Sequence, residues 1–584
     1  MKTEKKNRAE RLEFFRALYE NARLAYADEL ELFDRHMRQY RGSRELDGAR
    51  EDATTVRNIT YELIESQVGS DIPQPKCDPA VYSEKRLRTA HAVETLCRSL
   101  RDALPFEELN DLDERYTYIY GGSVWFVEWD SERELRGEKG GVRIHCISPR
   151  DFIPQPSIYR IDDMEYCFLR FTTTRGELYR KYGVRDEDIS LADFDHEDTN
   201  ISECDTVSIV IAFYKDDDGN VGQYVFSGEL VLLDMENYYK RKIRVCKKCG
   251  LSFGSCTCED PEYRFIDVDA EDIKGGARDC VFKVPYYLPK SFPFVIRKNT
   301  SAERSLLGQS DCEYIRPEQQ AINKIESRIL QKLLRAGITP IVPEDASITL
   351  NNSVFGQLIK MKPGESASQY GKVDTTPDIS QDIAEAERLY DHSKRIVGIS
   401  DAYQGIDSSS NESGVARQLR ISQASGRLES KRRMKHTAYS YLDRKIFEHY
   451  LAFSDEPRLL SYKDAFGKTQ NEAFNRYDFL EYDAETGTFF YDDAYLFSVD
   501  LNGGADLQRD VLWERNLENL KSGTLGDPTD PATLLRYWQS QERAHYPYAR
   551  ENVEYFTEIL TKGAHANGIE QTSSAIAQEP SKEL

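Results

Sequence analysis

The 584-residue sequence lacks an apolar run long enough to cross a membrane. A membrane-spanning helix needs about 20 consecutive apolar residues, so we expect no membrane partner. The opening stretch MKTEKKNRAERLEFF is charged and lacks the apolar centre of a secretory signal. An excess of positive charge is also missing, because 78 Lys and Arg stand against 101 Asp and Glu, a net charge of −23. Proteins that hold nucleic acid tightly neutralise its phosphates with basic residues, so any DNA contact here should be local or weak.

The motifs of common enzyme classes are missing as well. The tripeptide GKT at 467–469 imitates the end of a P-loop, but Tyr462 stands where that motif needs glycine. The stretch GESASQYGKV has the wrong spacing, and no G-x-S-x-G nucleophile elbow occurs. The nine histidines show no metalloprotease or deaminase spacing. We therefore expect no enzyme activity, although a nuclease-like enzyme with scattered carboxylates and a zinc ion remains an alternative.

Four of the eleven cysteines lie within one short stretch, CKKCGLSFGSCTC. They are Cys246, Cys249, Cys256 and Cys258. Two thiolate pairs brought together by a hairpin can enclose one tetrahedral Zn²⁺, and the alternative is a group of reduced, unligated cysteines at a loop tip. We predict a structural zinc site, in which metal binding folds a hairpin over 238–270 that is too small to bury a core.

Changes of hydrophobic period along the chain predict an α+β fold. Residues 4–40, 58–68 and 83–104 show the three- and four-residue spacing of helices. Two later stretches, YTYIYGGSVWFVEWD and TVSIVIAFYKDDDGNVGQYVFSGELVLLD, are rich in aromatic and β-branched residues and predict strands. The Asp-Gly pair in the second stretch indicates a hairpin turn rather than a cation-binding loop.

The second half of the chain predicts a particular order of elements. A helix over SDCEYIRPEQQAINKIESRILQKLLRAG is followed by a segment with several Pro and Gly, 338–379, and by a helix over SQDIAEAERLYDHSKRIVGI. A polar loop, SDAYQGIDSSSNESG, then leads into one long helix from Val415 to about Phe453. Loops of this length inside a compact domain are usually functional or disordered.

This order resembles the bacteriophage portal protein family, also called the head-to-tail connector. LLGQSDCEYIRPEQQAINKIESRILQKLL and DIAEAERLYDHSKRIVGI resemble its two stem helices, SDAYQGIDSSSNESG its tunnel loop, and VRIHCISPRDFIPQP and LYRKYG its wing segments. The implied domains are a wing (1–309), a first stem helix (310–337), a clip (338–379), a second stem helix (380–399), a tunnel loop (400–414), a long helix (415–455), wing return strands (456–511), a helical crown (512–566) and a disordered tail (567–584). The cysteine hairpin is not general to that family and would be an insertion in the wing.

The resemblance implies a structural role in a virion. It implies a closed ring of copies of the chain, typically twelve, at one capsid vertex, with an axial channel for double-stranded DNA during packaging and ejection. The implied partners are terminase, the major capsid or scaffold protein, and head-completion or tail proteins, first met in the host cytoplasm during assembly. A virion adaptor that never contacts DNA is a further alternative.

Two sets of residues would serve the channel. The tunnel-loop set is Gln404, Gly405, Asp407, Ser408, Ser409, Ser410, Asn411 and Gly414. The candidate DNA-facing cations are Lys324, Arg328, Lys332, Arg335, Lys394, Arg395, Arg417, Arg420, Arg427, Lys431, Arg432 and Arg433. Cations on a helix are also typical of a solvated face with i,i+4 partners such as Glu429 and Arg433, and residue types alone favour that interpretation over a DNA-facing belt.

Overall fold

A computed structural model describes most of the chain. The described residues are 8–43, 55–69, 71–135, 138–184, 193–194, 206–249, 263–268, 270–275, 280–334, 338–341, 371–374, 377–399, 426–454, 456–463, 469–483, 487–500, 506–543 and short pieces between 546 and 560. They contain both helices and antiparallel sheets, which confirms the α+β class.

The helices lie mainly at the two ends of the chain and around its middle. They are α1 (Arg8–Ala25), α2 (Ala27–Tyr40), α3 (Ile59–Glu65), α4 (Glu84–Ala103), α5 (Phe106–Tyr120), α6 (Arg175–Tyr182), α7 (Asp311–Leu334), α8 (Ser380–Val397), α9 (Gly426–Phe453), α10 (Asp506–Lys521) and α11 (Pro531–Arg543). In the described residues, no helix has the length and apolar character needed to cross a membrane.

The strands form one six-stranded sheet, one three-stranded sheet and several two-stranded pairs. They are β1 (Gln74–Pro79), β2 (Gly122–Leu135), β3 (Glu138–Ile147), β4 (Phe152–Pro154), β5 (Tyr166–Thr174), β6 (Asp193–Phe194), β7 (Thr206–Lys215), β8 (Val221–Ser227), β9 (Leu230–Met235), β10 (Arg241–Cys246), β11 (Tyr263–Val268), β12 (Ala270–Gly275), β13 (Cys280–Pro285), β14 (Phe294–Lys298), β15 (Ile338–Ile341), β16 (Gly371–Asp374), β17 (Arg458–Lys463), β18 (Thr469–Phe474), β19 (Leu480–Asp483), β20 (Thr488–Tyr491) and β21 (Tyr495–Asp500).

The two larger sheets form the centre of the N-terminal half. One has the order β14-β2-β3, and the other runs β4-β5-β7-β8-β9 with β6 added beside β7. Their facing apolar side chains build one cluster, in which Phe126 of β2 and Phe294 of β14 lie 5.1 Å apart between ring centroids and Phe213 of β7 packs on both. The far side of the larger sheet is covered by α1, whose Phe15 stacks on Tyr224 with centroids 4.5 Å apart.

The hairpin between β7 and β8 confirms the predicted Asp-Gly turn. Gly219 adopts a φ of +82°, a region that favours glycine. The Asp216 carboxylate accepts hydrogen bonds from the backbone N–H of Asp218 at 3.0 Å and of Asn220 at 2.7 Å. An aspartate whose carboxylate accepts the backbone N–H groups of its own turn is typical of a hairpin tip.

One predicted strand is partly wrong. The residues YTYIY at 116–120 form the end of α5, and β2 begins only after Gly121. Alternating tyrosines suggested a strand, but Gly121 takes a φ of +93° and ends the helix in the left-handed conformation that glycine permits. Gly121 also lies against the backbone of Gly308, because a Cβ at Gly121 would come within 2.7 Å of the Gly308 carbonyl oxygen.

The second half is organised around α9. Its apolar residues pack with α4, β2, β14 and the C-terminal strands in a cluster that includes Trp125, Tyr439, Leu442, Phe447 and Tyr491. A separate cluster holds α7 and α8 together and against α3. The two helices occur in the predicted order, and between them β15 pairs with β16 antiparallel.

Candidate functional site

The predicted stem helices α7 and α8 form an antiparallel helix pair. Glu318 near the start of α7 lies 3.0 Å from the His392 ring near the end of α8. At the opposite end of the pair, Asp382 accepts hydrogen bonds from both Arg328 and Lys332. Along the chain, the paired strands β15 and β16 lie between the end of α7 and the start of α8.

Three of the predicted cations form a stripe along α7. Lys324, Arg328 and Lys332 recur every four residues, which places them on one side of the helix. Lys324 and Arg328 are exposed, and Lys332 is half-buried beside Asp382. The fourth predicted cation of α7, Arg335, lies outside the described residues.

The predicted cations of α8 differ from each other. Lys394 is buried, and its ammonium nitrogen lies 4.4 Å from the centroid of the Tyr390 ring. Arg395, the next residue, is exposed. Burial of Lys394 under an aromatic ring is typical of a packing role, whereas Arg395 keeps access to solvent.

The cations of α9 also divide into two groups. Arg432 and Arg433 are exposed and pair with Glu429 at 3.8 and 3.3 Å, as expected of a solvated face. Lys431 is buried and contacts α7 rather than solvent. Arg417 and Arg420 lie outside the described residues, as does the side chain of Arg427.

Lys431 belongs to a buried polar cluster where α7 begins, which we call the joint. Its ammonium nitrogen lies 2.6 Å from the Asp311 carboxylate and donates to the Gln67 side chain at 2.8 Å. Asp311 also accepts hydrogen bonds from Asn299 and Gln67, each at 2.9 Å. One carboxylate on the first turn of α7 therefore contacts α9, the end of β14 and the end of α3.

The joint continues one helical turn further along α9. Lys435 lies 2.9 Å from the Glu114 carboxylate of α5, and Arg297 of β14 donates to the same carboxylate at 2.9 Å. Arg297 also donates to the neighbouring Asp113. Burial raises the pKa of Glu114, but the two adjacent cations outweigh burial and lower it from 4.5 to about 2.

The charges of the joint balance. Its three cations, Lys431, Lys435 and Arg297, face three carboxylates, those of Asp113, Glu114 and Asp311. All six side chains are at most 10% exposed. Burying an unpaired charge costs several kcal/mol, so this composition keeps a polar cluster inside the fold without an excess of either sign.

Little in the sequence predicts the joint. Asp113 and Glu114 lie in the acidic stretch NDLDERY, which is typical of a solvated helix face. Arg297 offers a weak signal, because it is a charged residue inside the apolar strand FVIRK. No short motif connects these residues, since they come from four elements that meet only in the fold.

The cysteine hairpin is described in part. β10 and β11 pair antiparallel, with Cys246 opposite Tyr263. Cys246 is buried and Cys249 is exposed, while Cys256 and Cys258 lie outside the described residues. The paired strands match the predicted hairpin, and the zinc ligand set stays a prediction. The tunnel-loop residues Gln404, Gly405, Asp407, Ser408, Ser409, Ser410, Asn411 and Gly414 also lie outside the described part of the chain.

A wide cleft of about 1710 Å³ opens between the two larger sheets. Its walls mix apolar residues such as Ile211 with charges of both signs, among them Glu128 and Arg143. The His145 ring lies 3.2 Å from Glu128. This mixture favours neither a cation nor an anion.

No protein-family model matches the chain, and no curated protein matches its sequence.

Proposed function

We propose that this protein is a portal-like subunit that assembles into a closed ring at one vertex of a viral capsid. Double-stranded DNA passes through the ring during packaging and ejection, and terminase and head-completion or tail proteins dock on it. The observation that carries the proposal is the antiparallel pair of α7 and α8, with β15 and β16 between them in the chain. The 28-residue helix α9 follows and packs on β14 and β2 of the three-stranded sheet. This is the order of stem, clip, stem and long helix in the portal family.

The surface charge supports a weak contact with DNA. A conduit must let DNA slide, and neutralising six to ten phosphates already makes binding strong and steeply dependent on salt. The chain is acidic overall, and its exposed cations on the helix pair include Lys324, Arg328 and Arg395. Lys431 is buried in the joint and cannot reach DNA, so we assign the DNA contact to the exposed cations of the α7 stripe.

The molecular mass in solution tests the ring. We expect light scattering to give a multiple of the 67.3 kDa subunit mass, about 800 kDa for twelve copies, without DNA cleavage or ATP hydrolysis. Metal-dependent cleavage that is lost on an Asp→Asn change would support the nuclease-like alternative instead. A large assembly that does not bind DNA at low salt would support the adaptor alternative.

The stripe on α7 has its own test. Replacing Lys324 by alanine should reduce the salt dependence of DNA binding, because one fewer phosphate is neutralised per bound subunit, about one unit of slope. A Lys76→Ala variant is the matched control, since Lys76 is an exposed lysine on β1. Equal effects of the two variants would contradict the assignment of the stripe.

We also propose that the cysteine hairpin holds one structural Zn²⁺. Cysteine thiolates are typical zinc ligands, and Cys246 lies at the end of a paired strand, where a turn can bring other thiolates to it. Metal analysis should find one zinc per chain, and a Cys246→Ser, Cys249→Ser variant should lose it while the ring persists. The control is Cys146→Ala, which changes a cysteine on β3 and should keep the metal. Stoichiometric zinc in the double variant would contradict the ligand set.

A further inference from the structure

Charged side chains link α9 to the helix pair of α7 and α8, whereas α9 and the helix pair each pack on their other neighbours through apolar side chains. The apolar residues of α9 from Ala438 to Leu451 belong to the cluster around α4 and β2. Those of α7 and α8, such as Ile322 and Tyr390, belong to a second cluster with α3. The buried ion pair of Lys431 and Asp311 links α9 to the first turn of α7, where Cys312 also packs in the core between the two larger sheets.

A polar link of this kind fixes an orientation rather than adding much stability. Apolar packing is non-directional, whereas a hydrogen-bonded ion pair is satisfied in one geometry. A buried ion pair contributes little net stability compared with apolar residues of the same shape, and its best-attested role is to specify one arrangement. Asp311 also accepts from Asn299 and Gln67, so its carboxylate is held from three directions.

We propose that the Lys431–Asp311 pair is a latch that sets the orientation of the helix pair relative to α9. With the latch closed, a displacement at the start of α9 is transmitted to the first turn of α7. With the latch open, the helix pair keeps its apolar contacts with α3 and with the sheet core at Cys312 but loses its polar link to α9. The inference goes beyond the proposed function, because it concerns one subunit and requires neither a ring nor DNA.

Hydrogen–deuterium exchange of a charge-free variant tests the latch. The variant Lys431→Met, Asp311→Asn removes both charges, keeps the side-chain shapes and leaves no buried charge without a partner. Gln67 can turn its amide to accept a hydrogen bond from the new amide at 311. We expect exchange in α7 and α8 to become at least about tenfold faster relative to β7 and β8, because the helix pair opens as a separate unit.

The ion pair of Arg101 and Asp443 supplies the matched control. It is equally buried, with two hydrogen bonds of 2.8 and 2.9 Å, and it also involves α9, but it joins α4 and α9 within one apolar cluster. The variant Arg101→Met, Asp443→Asn should leave the exchange of α7 and α8 unchanged relative to β7 and β8. The latch is refuted if the Lys431 variant changes the relative exchange of the helix pair by less than twofold. It is equally refuted if both variants change that exchange to the same extent.

Discussion

The strongest pH dependence in the joint should come from Glu114. Its carboxylate lies 2.9 Å from both Lys435 and Arg297, and its pKa falls from 4.5 to about 2 in the folded chain. Because the folded-state pKa lies below the unfolded value, ionised Glu114 stabilises the fold above about pH 4.5, and this stabilisation is lost as the pH falls towards 2. At 1.36 kcal/mol per pH unit, the stabilisation amounts to roughly 3 kcal/mol.

Urea unfolding at a series of pH values between 7 and 2 measures this contribution. Trp125 reports on the joint by its fluorescence, since its indole N–H donates to Asp113 at 2.9 Å. The variant Glu114→Gln should be less stable at pH 7 by about 3–5 kcal/mol, because Arg297 and Lys435 then share one carboxylate fewer. Between pH 6 and pH 2, the unfolding free energy of this variant should also fall by about 3 kcal/mol less than that of the wild-type protein, because residue 114 no longer titrates.

The exposed carboxylate of Glu429 provides the control for this experiment. Glu429 lies on the surface of α9 beside Arg433, and an i,i+4 pair of this kind contributes about 0.3–0.5 kcal/mol. The variant Glu429→Gln should therefore follow the wild-type pH profile. If Glu114→Gln also keeps the wild-type pH profile, the electrostatic account of the joint is wrong.

Three further predictions follow from the packing. The variant Gly121→Ala should lower the free energy of unfolding by about 1–3 kcal/mol, because φ at this position is +93° and the new Cβ would meet the Gly308 backbone. Calorimetry should then show a lower Tm, and an unchanged Tm would contradict this. The variant Phe15→Ala should weaken the packing of α1 on the sheet by about 3–5 kcal/mol, because Phe15 stacks on Tyr224. Limited proteolysis should then cleave α1 more readily, and an α1 that stays resistant would refute the contact. Burial lowers the pKa of His449 to about 4, so this imidazole is neutral at pH 7, and an NMR titration that finds it protonated at pH 6 would disprove its burial.

The periodic features of the sequence predicted most of the elements. The α7 stretch repeats Ile322, Ile325, Ile329 and Leu333 at helical spacing, which predicted the helix; Ile322 and Ile329 are buried as that stripe requires, but Leu333 is exposed. Ser83 and Asn58 precede helices as N-caps, and each side chain accepts a backbone N–H as that position requires. Local chemistry decides these features, and the sequence displays it directly.

Features that depend on distant parts of the chain could not be predicted in this way. The tyrosines at 116–120 alternate as they would in a strand, but tertiary packing places them in α5. Lys431 and Arg432 are adjacent cations in the sequence, yet the first is buried and the second is exposed. Lys431 is buried because it lies on the side of α9 that faces Asp311, whose carboxylate is 120 residues away in the sequence.

End-on electron microscopy of the purified chain tests the central proposal most directly. We expect closed rings of identical subunits with a hollow axis wide enough for duplex DNA, about 20 Å across, and with the helix pairs arranged around it. A uniform population of single 67.3 kDa particles at high protein concentration, with or without scaffold protein, would contradict the proposal.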